Sequence, residues 1–297
     1  MSQQELNAIL EQLRSFSWGE TLAEMRTNFE KGFSMPPHPT ATVKEVNANG
    51  VRADLISTPT AAQDKVILYL HGGGFIMGSR HSYRRVASDL SEAAGALVLL
   101  IEYRLAPEHP YPAALEDSVA AYHWLTETKD FSNSSIAIAG DSAGGNLVLS
   151  TLLSLRNAGK SLPVAALLMS PFLDLLGTGS TFQTKTDVDL MVTPELIETI
   201  VKMYSPNNNP AEPTVSPLYA DLSGIPPLLI HVGNQEILLD DSLRLARQAA
   251  LEDVSVELKV WKGMIHCHQL FAPNLEEGRQ AICEAGAFLA SQLDLVF

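Results

Sequence analysis

Along most of the chain, short unbroken apolar runs alternate with longer stretches in which apolar residues recur every three or four positions. The runs at 66–70, 96–101, 136–139, 164–169 and 228–232 contain almost no polar side chain, as expected of strands covered on both faces. A sixth segment, 254–261, also reads as a strand, though a more polar one. Helical spacing fills the intervals at 82–94, 113–128, 143–157 and 241–251, and a last helix is expected at 275–293. This alternation predicts an α/β fold, a mainly parallel central sheet flanked by helices. Upstream, 41–46 and 51–57 flank Asn49-Gly50, which predicts an antiparallel hairpin opening the sheet. Residues 3–31 read as helical, with an apolar stripe through Leu6, Ile9, Leu10, Leu13, Phe16 and Leu22, and the proline-rich Met35-Pro36-Pro37-His38-Pro39 ends that pattern.

One stretch departs from the rhythm. Residues 177–217 separate two strands by far more than a crossover needs and hold a helical piece at 194–204 and a turn-rich piece at 205–213. A long excursion in a compact domain is more often a lid than an unstructured loop. The chain is therefore divided into a cap region, 1–40 with about 177–217, and a catalytic domain, 41–176 with 218–297.

Gly140-Asp141-Ser142-Ala143-Gly144 matches G-x-S-x-G. By composition alone roughly one chain in ten of this length would carry it. Its context is more telling, because a predicted strand ends just before it and a predicted helix begins just after it. That placement is a nucleophile elbow: small neighbours let the backbone turn sharply, and the helix N-terminus offers free N–H groups to an oxyanion. His71-Gly72-Gly73-Gly74 follows the strand at 66–70. Its backbone is free to point amides into a cavity, and Gly72, Gly73 and Ala143 are the expected oxyanion donors. A phosphate loop is the rival for such a turn, but no G-x-x-x-x-G-K-[ST] occurs. His71 itself reads as a residue that packs the loop.

A serine hydroxyl needs a base held by an acid, and behind such an elbow the chain order is serine, carboxylate, histidine. Of eight histidines only His231, His266 and His268 follow Ser142. His231 sits inside an apolar strand. His266, in the loop after the last strand, is the expected base, with His268 the alternative. Glu236, just past the strand at 228–232, is the expected acid. Asp240 and Asp241 read as the cap and first turn of the next helix, and Asp141 precedes the serine.

These segments in series resemble the GDSAG branch of the hormone-sensitive-lipase family of esterases: His71-Gly72-Gly73-Gly74-Phe75, Tyr103-Arg104-Leu105-Ala106-Pro107-Glu108, Pro110-Tyr111-Pro112-Ala113, 140–145 and Gly263-Met264-Ile265-His266. The resemblance runs from about Val66 to the end of the chain. It implies an α/β-hydrolase fold with a helical cap and cofactor-free hydrolysis of short- to medium-chain carboxylic esters through an acyl-enzyme. It places the nucleophile on Ser142, the base on His266, the oxyanion donors on Gly72, Gly73 and Ala143, and the acid on Glu236 in Gln235-Glu236-Ile237-Leu238. The commoner aspartate-proline is absent there, so a longer carboxylate must be seated by a different loop geometry. Tyr103–Glu108 reads as a brace for the glycine loop. The resemblance also leaves room for a homodimer through the edge strand 254–261.

Composition narrows the partners. Thirty-four acidic against 20 basic residues give a net charge of −14, which opposes attraction to nucleic acid or anionic lipid. The expected partner is a small-molecule ester. No run of about 18 apolar residues is present, and the first residues lack a basic, then apolar, leader pattern, so a cytoplasmic location is expected. Cys267 and Cys283 make no zinc pattern and read as ordinary thiols. A binding protein on the same scaffold would have no need of the ordered serine, glutamate and histidine. An amidase shares all of them and differs only in substrate. A true lipase would want a larger apolar mouth than the polar 205–213 segment suggests.

Overall fold

The computed structural model describes residues 3–295. Eight strands, β1 (Thr42–Ala48), β2 (Val51–Ser57), β3 (Ala62–Leu70), β4 (Ala96–Ile101), β5 (Ile136–Asp141), β6 (Ala166–Met169), β7 (Leu228–Gly233) and β8 (Val256–Trp261), form one sheet in the order β1-β2-β4-β3-β5-β6-β7-β8. From β4 to β8 all neighbours are parallel, whereas β1 and β2 pair antiparallel and β2 joins β4 antiparallel. The hairpin turns where it was expected: Asn49 and Gly50 have φ of 54° and 97°, the left-handed pair that a two-residue hairpin needs.

The helices are α1 (Gln3–Ser15), α2 (Leu22–Phe33), α3 (Arg80–Ala94), α4 (Ala113–His123), α5 (Ala143–Asn157), α6 (Thr181–Thr184), α7 (Pro194–Tyr204), α8 (Leu239–Leu251) and α9 (Glu276–Gln292). Every residue of β4, β5, β6 and β7 is buried, as the apolar runs require. The hairpin is tied to α3 by charge. Arg80 pairs with Asp54 and Glu102, and Arg84 with Asp54 at 2.7 Å.

Two helical expectations need correction. The single helix read at 3–31 is two, because Gly19 has φ 92° and Thr21 starts a new helix with a capping box. The Thr21 hydroxyl accepts the Glu24 N–H, and the Glu24 carboxylate accepts the Thr21 N–H. The helix read at 113–128 ends as α4 at His123 and continues as a π-helical turn, Trp124–Thr128. Likewise, Asp240 and Asp241 lie in the first turn of α8 without capping it. Asp241 accepts the N–H groups of Leu173 and Asp174, and Asp240 that of Ser180.

The excursion between β6 and β7 packs over the C-terminal ends of the central strands. Tyr204 of α7 stacks on Phe75 with centroids 3.7 Å apart, and its carbonyl accepts the Tyr111 N–H at 2.7 Å. From the N-terminal side, Arg26 of α2 donates to the carbonyls of Ile76 and Ala106 and pairs with Glu108. Among the described residues no helix is long and apolar enough to cross a membrane.

Candidate active site

β5 ends at Asp141, and the chain turns at once into α5. Between them Ser142 has φ 52° and ψ −119°, a strained backbone for a residue with a Cβ, costing about 1–3 kcal/mol. Surrounding bonds hold it there: the Ser142 N–H donates to Met169 O at 2.9 Å and its carbonyl accepts Phe172 N–H at 3.0 Å. The turn closes only with small neighbours. A Cβ on Gly144 would collide with the Leu70 carbonyl, and one on Gly140 would meet Gly144 O at 2.5 Å.

The glycine loop leaves β3 beside this elbow. His71 stacks on Tyr103 at 4.2 Å, and Tyr103 donates its hydroxyl to His71 O at 2.7 Å. Burial pushes the imidazole of His71 below its usual value, as suits a packing residue. Gly72, expected as an oxyanion donor, has its N–H turned to an internal acceptor. Its N–H donates to Asp141 Oδ1 at 3.0 Å, in a buried cluster where Asp141 also accepts Tyr69 and Tyr83 hydroxyls. Burial pushes the Asp141 carboxyl up to about 6 against these bonds. The amides of Gly73, Gly74 and Ala143, by contrast, donate to no group among the described residues. Gly73 and Gly74 line the same cavity as Ser142.

The turn after β7 brings in Glu236, fully buried, and the turn after β8 brings in His266, which is 4% exposed. His266 Nδ1 lies 2.8 Å from Glu236 Oε2. The other oxygen, Oε1, accepts Gly233 N–H at 2.6 Å and Ser170 Oγ–H at 2.8 Å. The longer acid thus folds back onto its own strand end. Ser170, which no sequence pattern singled out, also accepts Cys267 N–H at 3.1 Å, so one hydroxyl joins the acid turn to the histidine turn. Ser142 Oγ makes no hydrogen bond among the described residues, and His266 Nε2 has Cys267 Sγ at 3.4 Å. Catalytic hydrogen bonds are often loose before substrate binds. Burial pushes the Cys267 thiol well up, which keeps it neutral.

The two other histidines after the serine are unsuited to act as bases. Burial takes His231 down to about 4 and His268 to about 3, and neither lines the cavity. His266 behaves differently. Burial pushes it down, but the hydrogen bond and charge of Glu236, with the charges of Asp189 and Asp141, outweigh this and raise it above 6.5.

The cavity measures about 520 Å³ including its mouth. Trp18 and Phe29 line it from the N-terminal segment, Met191, Val192, Leu196, Ile197 and Ile200 from the excursion, and Phe172, Leu238 and Leu270 from the rest of the chain. Tyr83, Asp141, Ser142, His266 and Cys267 also line it.

A strand–serine–helix elbow beside a glycine loop, on a mainly parallel sheet with a histidine after its last strand, defines an α/β hydrolase. Residues 67–270 match a family model described as alpha/beta hydrolase fold. An acetyl-hydrolase from Streptomyces hygroscopicus is 40% identical over 86% of this chain and 83% of its own. An esterase from Acinetobacter venetianus is 36% identical over 88% and 85%. Among solved structures, an esterase from the bacterial hormone-sensitive lipase family superposes with a TM-score of 0.96 at 42% identity, covering 99% of both chains. The esterase EstE5, solved after soaking with p-nitrophenyl butyrate, gives 0.94 at 40%, covering 98% of this chain and 99% of its own. The chain belongs to the α/β-hydrolase family, among the bacterial esterases of the hormone-sensitive lipase type, and is a carboxylic-ester hydrolase.

Proposed function

We propose that this enzyme is a serine carboxylesterase that cleaves short- to medium-chain esters through a Ser142–His266–Glu236 triad and an acyl-enzyme. The observation that carries this reading is the buried 2.8 Å pair of His266 and Glu236, beside the cavity onto which strained Ser142 opens. Glu236 holds the proton on Nδ1, which leaves Nε2 free to act as base. His266 takes the Ser142 proton as Oγ attacks the ester carbonyl. The Gly73, Gly74 and Ala143 amides hold the oxyanion. His266 then protonates the leaving alcohol, and water activated by the same imidazole releases the acid. Residues 1–40 and about 177–217 act as the cap, whose apolar side chains exclude water and seat the acyl chain.

The limited cavity volume, about 520 Å³ with its mouth, and the name acetyl-hydrolase borne by one relative both support small acyl groups. Over a p-nitrophenyl ester series, kcat/KM should peak between acetate and hexanoate and fall at least about tenfold by dodecanoate, since pocket fit is worth only 1–3 kcal/mol per methylene. Faster turnover of emulsified long-chain triglyceride than of soluble butyrate would overturn this substrate range.

The pH profile gives a second test. His266 must be neutral to accept the serine proton, and its partners raise it above 6.5. The acid limb of kcat/KM should therefore have its midpoint above 6.5, activity being present at higher pH and lost as pH falls through that value. A limb well below 6.5 would contradict the base assignment.

A further inference from the structure

Asp189, in the excursion between α6 and α7, is only 5% exposed. No lysine or arginine among the described residues pairs with it. Its Oδ1 accepts the N–H groups of Met191 and Val192, each at 2.9 Å, a local turn that an uncharged side chain also makes. Its Oδ2 reaches another part of the chain and accepts the Ile237 N–H at 2.9 Å. Ile237 follows Glu236, while Met191 and Val192 wall the cavity. One carboxylate therefore joins the substrate wall to the turn that carries the acid.

We propose that Asp189 is a positioning residue for ester hydrolysis, fixing the acid-bearing turn to the cavity wall and adding its buried charge to that of Glu236 around the base. This rests on the assignment of His266 as base. In the attack step His266 becomes an imidazolium, and a fixed negative charge nearby favours that form. Asp189 is among the groups that raise His266; burial pushes the Asp189 carboxyl above its usual value, and the charge of His266 works against that. The other groups around His266 are Glu236 from the turn after β7, Asp141 from the end of β5, and Cys267 and His268 from its own turn, the last two neutral. The charges acting on Asp189 are those of His266 and Glu236.

Asp189→Asn keeps an oxygen for Met191 and Val192 but loses the charge and offers Ile237 a donor. It should shift the acid limb of kcat/KM downward by about half a pH unit or more and lower plateau kcat about tenfold, with little change in KM. Asp189→Ser, which also caps the turn without charge, carries the same expectation if the asparagine variant does not fold. Asp189→Glu keeps the charge and should restore the wild-type limb, while its greater length disturbs the wall and raises KM. An acid limb unmoved in both neutral variants overturns the proposal and leaves the triad assignment intact. Failure of that assignment is read separately, from a wild-type limb below 6.5 or from an active Ser142→Ala enzyme.

Discussion

Replacing Ser142 with alanine should lower kcat for p-nitrophenyl butyrate by about 10⁶-fold, with the unfolding midpoint within a few degrees of wild type. The side chain supplies the atom that bonds to the carbonyl carbon, and nothing nearby can stand in for it. Cys267 is a protonated thiol because of its burial, and Asp141 is spent on Gly72, Tyr69 and Tyr83. The residual rate should match what the Gly73, Gly74 and Ala143 amides and substrate binding provide without a nucleophile, about 10³–10⁴ over water. Folding should be spared because the bonds that hold the elbow use the Ser142 backbone, N–H to Met169 and carbonyl from Phe172. Retention of even one-tenth of the wild-type rate would remove Ser142 from the mechanism.

The second large effect is expected at Glu236. In Glu236→Gln the amide oxygen can keep the bonds from Gly233 and Ser170, which turns the NH₂ toward His266. Nδ1 must then accept rather than donate, so the imidazole proton sits on Nε2, where a free lone pair is needed. A loss of about 10⁴ in kcat is expected from the wrong tautomer, with geometry and KM little changed. Glu236→Asp keeps the charge, but its shorter side chain cannot hold Gly233, Ser170 and His266 together, and it should recover only part of the activity. If glutamine retained full activity, the acid would have to be sought elsewhere.

The central sheet was readable because strands buried on both faces are written as continuous apolar runs, as at Ile136 to Ala139. The elbow was readable because small residues flank Ser142 exactly where a strand pattern gives way to a helical one. His266 and Glu236 were candidates from chain order, and the fold places them 2.8 Å apart. Other features were hidden for identifiable reasons. The break between α1 and α2 was signalled by Thr21 and Glu24, three residues apart, but the apolar stripe ran on through Leu22 and masked it. Gly72 resembles its neighbours in sequence, and only the fold shows that Asp141 takes its N–H. Ser170 and Asp189 act through bonds to residues far along the chain, at Glu236, Cys267 and Ile237. No local spacing encodes such contacts.

Covalent labelling with a fluorophosphonate reports directly on whether the hydroxyl of residue 142 is the activated nucleophile. Intact-mass analysis should show one adduct per chain, located by peptide mapping on Ser142, absent from Ser142→Ala and formed far more slowly in Glu236→Gln. An adduct on any other residue, or equal labelling of the alanine variant, would contradict the account.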